Sequence, residues 1–141
     1  MKKKIYYTKI ENFCGLEYLT LENAPTYKDS EYGEVIDLTA FEKSKLAAEQ
    51  ILYNMVPIRG KEVSILRLSL GLSLEKFARE FKLSSATVLK WERAKVSRLS
   101  LPNEIAVRLF CAEKLNHYIE KNYSYLVAAQ IPLQTIKFKA A

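Results

Sequence analysis

One histidine and two cysteines are the only soft metal ligands in 141 residues, and the cysteines, Cys14 and Cys111, lie far from CxxC spacing. A tetrahedral zinc site normally takes four such ligands, so with His117 included the set excludes a zinc centre built within one chain, and no metal or cofactor is expected. The same scarcity argues against an enzyme. A nucleophile needs a base and an orienting group, His117 stands in a helical stretch with no motif around it, and the four glycines nowhere gather into a phosphate-cradling loop. Long apolar runs are missing too: none approaches the roughly 18 residues of a membrane span. Lys9 and Glu11 interrupt any signal-peptide core after the initial Met1-Lys-Lys-Lys. These absences predict a cytoplasmic chain with no membrane partner and both thiols reduced.

What is present describes a globular protein: 49% hydrophobic residues with 27% charged, in a length that suits one ordinary domain or two small ones. Lys and Arg number 22 against 16 Asp and Glu, a formal charge of +6 that favours anionic partners. The distribution is uneven. From Lys61 to Arg108 ten basic residues face five acidic ones, net +5, whereas from Glu22 to Gly60 four basic face seven acidic, net −3.

In chain order, Met1 to Ile10 carries four lysines among tyrosines and reads as a solvated start leading into an edge strand. Leu16 to Leu21 alternates as a strand, Asn23 to Gly33 reads as a loop, and Glu34 to Leu38 as a second strand pairing with the first. Asp37 or Thr39 can cap a helix over about Ala40 to Asn54, with Phe41, Ala48, Ile51, Leu52 and Met55 on its inner face. Pro57, Arg59 and Gly60 then mark a boundary. A helix at about Lys61 to Ser69 ends at Gly71, which suits a left-handed C-terminal position. A long helix is predicted over Pro102 to Asn122, and Ile131 to Lys139 as an edge strand. The fold class is thus α+β, mainly α, in three parts: a small α+β unit at 1–58, a helical unit at 59–122 and an extension at 123–141.

Within the basic segment, LEKFAREFKLSSATVLKWER (Leu74 to Arg93) carries apolar residues at Leu74, Phe77, Ala78 and Phe81, then Leu83, then Val88 and Trp91. The helical stripe breaks at Lys82 to Ser84 and resumes in a new phase, which predicts two short helices joined by a tight turn. Ser73 can cap the first, and Ser84 and Ser85 the second.

Residues Glu62 to Arg93 resemble the lambda-repressor and Cro type, or XRE, helix-turn-helix family. With the N-terminal YLTLEN and YGEVIDL segments, the chain is similar to MqsA-like antitoxins and their regulator relatives, without their paired CxxC zinc motifs. The resemblance implies a sequence-specific DNA-binding regulator, a repressor, that inserts its second helix into the major groove as a homodimer on a palindromic operator. It also admits the antitoxin of a toxin–antitoxin pair. The competing implication is a toxin-neutralising protein-binding module, its acidic Glu22 to Gly60 segment facing a basic toxin, with DNA binding secondary or lost.

Residue by residue, the resemblance puts base reading at Ser85, Ala86 and Lys90, where a lysine can donate to guanine and an alanine methyl can touch thymine. Ser84, Thr87, Arg93, Lys95 and Arg98 fall where the family approaches phosphates. Arg67 and Glu92 occupy the positions of a structural ion pair between the first helix and the end of the recognition helix. Leu74, Lys82 and Ala94 replace a glutamine and two glycines usual in the family, and a left-handed Lys82 would cost about 1 kcal/mol.

Overall fold

The computed structural model describes residues 3–117, 119 and 123–140. It is α+β and mainly helical, as the composition and periodicities predict. β1 (Tyr6–Ile10), β2 (Leu19–Asp29) and β3 (Gly33–Ile36) form an antiparallel sheet with β2 at its centre. β4 (Ile136–Phe138) returns from the end of the chain to lie parallel to the start of β2, Leu21 opposite Phe138. Because Leu21 also pairs with Ile10 of β1, and Thr26 with both Tyr6 and Ile36, β3 and β4 share the edge of β2 that β1 leaves open.

β2 overturns the expected loop at Asn23 to Gly33. The strand runs through Asn23 and Pro25 because both substitute for ordinary strand backbone. The Asn23 side-chain amide donates to the Ala140 carbonyl at 2.9 Å and accepts from the Ala140 amide at 2.7 Å, which completes the ladder beyond β4. Pro25, lacking an N–H, contributes its carbonyl, which accepts from the Asp37 amide at 2.7 Å. The turn proper is shorter, closed by the Asp29 carboxylate accepting from the Glu31 and Tyr32 amides and by Gly33 at φ +75°.

α1 (Ala40–Tyr53) begins with a capping box, Thr39 accepting from the Glu42 amide and Glu42 from the Thr39 amide. Its buried face is Ser44, Ala47, Ala48, Ile51 and Leu52; Phe41, expected inward, is 52% exposed at the solvent end of the first turn. The chain then crosses at Met55 to Gly60, six consecutive buried residues, so the predicted boundary is a packed crossing. One apolar core runs from Phe13 and Leu16 beneath the sheet, through Ile51 and Ile58, to Val88, Val107 and Cys111 among the later helices.

α2 (Gly60–Ser69), α3 (Leu74–Glu80), α4 (Ser85–Arg93) and α5 (Leu101–Lys114) follow, then α6 (Tyr123–Ala128). Gly71 closes α2 at φ +67°. α5 has Pro102 in its first turn but stops at Lys114, with Asn116 left-handed at φ +53°, so the long helix expected to Asn122 is shorter. The last residues of that prediction, 118 and 120–122, lie outside the described residues. No helix among the described residues is long and apolar enough to cross a membrane.

Candidate nucleic-acid interface

The bend predicted around Leu83 is present. Ser73 caps α3 by accepting from the Lys76 amide, and Ser84 caps α4 by accepting from the Thr87 amide at 3.2 Å. Between them the Ala78 carbonyl accepts from the amides of both Phe81 and Leu83, and Lys82 sits left-handed at φ +56°. Val88 is fully buried under α4, with Trp91 and Leu83 packed beside it. A T-shaped ring cluster of Phe77, Phe81 and Phe110, centroids 5.0 to 6.1 Å apart, fastens α3 to α5.

The opposite face of α4 is open. Ser84, Ser85, Ala86, Lys90 and Arg93 are exposed, and so is Lys95 in the loop that follows; Thr87 is half-buried, its hydroxyl 2.9 Å from that of Ser84. Among the described residues no carboxylate lies within ion-pair reach of Lys90, Arg93 or Lys95. Four oxygen-bearing or small side chains at an open helix start, followed one turn later by uncompensated cations, can accept or donate hydrogen bonds and attract polyanions.

Two features fix how α4 is carried. The Arg67 guanidinium donates to both Glu92 oxygens, at 2.8 and 3.0 Å, and to the Leu72 carbonyl at 2.9 Å, in a site where both side chains are mostly buried. The pair expected between Arg67 and Glu92 is therefore formed and faces away from solvent. Secondly, the start of α2 abuts the end of α4: the Gly60 and Lys61 amides donate to the Ser97 and Lys95 carbonyls. These contacts join donors at an N-terminus to acceptors just past a C-terminus.

Arg98 requires a correction. Expected at phosphate, it donates to both oxygens of Glu104, at 2.7 and 2.9 Å, and to the Leu126 and Ala129 carbonyls. With its donors satisfied inside the chain, and its guanidinium held more basic by Glu104, it anchors α6 to α5. Glu104, fully buried, also accepts from the Ile58 amide at 2.9 Å. Arg108, also buried, lies on the same carboxylate and donates to the Val56 carbonyl. A second buried group was likewise missed: Glu62 accepts from Arg59 and from the Tyr18 hydroxyl, and Arg59 reaches Glu17. Burial and the Glu62 charge push the Tyr18 hydroxyl far up. The i,i+3 spacing of Arg59 and Glu62, and the i,i+4 spacing of Glu104 and Arg108, were the available signals.

His117 packs its ring edge-on against Tyr53. Tyr123 and Tyr125 are exposed, and Tyr118 lies outside the described residues. Among the described residues no group of three His, Cys, Asp or Glu side chains is placed to hold a metal ion. No protein-family model matches the chain, and comparison with curated proteins and with solved structures finds no match.

Proposed function

We propose that the protein is a sequence-specific DNA-binding regulator, a repressor, that offers α4 to the major groove by its serine end. The observation that carries the proposal is the division of α4 into a seated face, Val88 and Trp91, and an open one, Ser85, Ala86 and Lys90, behind a sharp turn at Lys82. A helix in the major groove needs that division, because the residues reading bases cannot also hold the helix on its domain. Lys90 and Ser85 suit base edges, while Arg93 and Lys95, beyond them, suit phosphates. A nine-residue helix reaches few base pairs, so the proposal includes a homodimer on a palindrome with half-sites about 34 Å apart. Recognition and repression, with no chemistry, are the whole of the assigned role.

Selection from a random duplex library followed by anisotropy titration tests it. The protein is expected to enrich a two-fold symmetric sequence. Lys90→Ala is expected to relax preference at one position per half-site, losing about 1 to 3 kcal/mol of discrimination, while Arg93→Ala weakens all sequences and lowers the salt slope by about one. Failure to enrich any sequence, or equal sequence-blind losses in both variants, overturns the assignment.

A further inference from the structure

A concavity opens where the sheet, α1, α2 and the end of α4 meet. It is a groove of about 660 Å³, within the range that takes a drug-sized ligand. Its floor is apolar, formed by Ile10, Phe13, Ile36, Ile65 and Leu68. Leu68 is 46% exposed there. The rim is cationic. Lys43 and Lys95 have no carboxylate partner among the described residues, and Lys61 reaches only Glu17, at 3.3 Å, and the Gly15 carbonyl. The one acid in the wall, Glu92, is neutralised by Arg67.

Polar groups inside the groove are also unanswered. The Ser44 and Ser64 hydroxyls line it, and neither has a hydrogen-bond partner among the described residues. Cys14 in the same wall stays a neutral thiol, burial pushing it up to about 11, so it adds no negative charge. An apolar trough with two free hydroxyls, edged by lysines whose charge is not balanced locally, is complementary to a molecule with a hydrocarbon body and an anionic head.

We propose that this groove binds a small amphipathic anion, its apolar part on Phe13, Ile65 and Leu68 and its carboxylate or phosphate between Lys43 and Lys95. The site shares Lys95 with the face assigned to phosphate, so its test uses the protein without DNA and leaves Lys95 unchanged in every variant. Isothermal titration with decanoate, decyl phosphate, decan-1-ol and decyltrimethylammonium measures it directly, and the first two separate a carboxylate ligand from a phosphate one. The full chain is expected to bind at least one of the two anions saturably, one per chain, and the alcohol and the cation at least tenfold more weakly. Lys43→Glu is expected to weaken the anion tenfold or more, and Leu68→Glu, at a half-exposed position, to abolish it. Should Leu68→Glu fail to fold, Lys43→Glu alone decides. No saturable binding up to millimolar concentration overturns the proposal, as does equal affinity for alcohol and anion, or variants that bind like the parent. A change of oligomeric state in Leu68→Glu overturns it as well, by assigning the groove to a second copy of the chain.

Discussion

At Gly60 a Cβ would lie 2.1 Å from the Trp91 carbonyl oxygen and 2.6 Å from that of Ala94. Both are backbone atoms, so α2 and α4 must separate to admit even alanine. Gly60→Ala is expected to lose stability at or above the upper end of the about 1 to 3 kcal/mol typical of overpacking, read as a drop in the urea midpoint. An unchanged midpoint would show that α2 does not start against α4. The sequence marks Gly60 only as punctuation, because the atoms that require it belong to residues more than thirty positions later. Lys82 is the opposite case: the break in helical phase made its turn legible, and the glycine usual there in the family it resembles pointed to the left-handed φ of +56° that it adopts. Arg98 was illegible for the same reason as Gly60. The family resemblance put it at phosphate, whereas the fold brings the Leu126 and Ala129 carbonyls onto it.

Among the elements, the α2–α4 tie sets the angle at which α4 leaves the body, and Arg67 with Glu92 is its polar half. Removing one partner leaves a mostly buried charge on the other, so Glu92→Ala is expected to cost about 3 kcal/mol. The double change Arg67→Met with Glu92→Leu, which removes both charges and keeps volume, is expected to recover most of that in a double-mutant cycle. Hydrogen exchange gives the local readout: the amides of α4 should lose protection in Glu92→Ala before those of α1. Uniform loss across the chain, or additive single effects, would mean that the pair does not hold α4. α3 and α4 were readable because each has its own serine cap and apolar period. β2 was not, since Asn23, Pro25 and Asp29 are individually turn-forming and only one is used that way. The other two act as strand backbone toward Ala140 and Asp37, partners no local window contains.

Over the whole molecule, the ionisable groups define a pH range of stability with two different edges. Arg59 holds the Glu17 carboxyl below its usual range, and backbone amides do the same for Asp29 and Glu42. The folded chain therefore binds those protons more weakly than the unfolded one, so stability is present above the unfolded carboxylate pKa of about 4 and is lost as pH falls through the lower folded values. All three groups are largely exposed, which makes this edge shallow. The alkaline edge runs the other way. Burial raises Cys14 to about 11 and Cys111 to about 12, so the unfolded thiols ionise first, and stability falls as pH rises from their ordinary value of 9.0 toward those figures. Urea midpoints measured from pH 3 to 11 are expected to be level near neutrality, to decline below about pH 4, and to decline again above about pH 9. The alkaline decline should shrink in Cys111→Ser relative to the parent. Iodoacetamide at pH 8 should label Cys111 only after urea is added, because a thiol with no exposed surface reacts through unfolding. Labelling of Cys111 in the native chain at the rate of a free thiol would mean that α5 does not pack on the core that also seats α4.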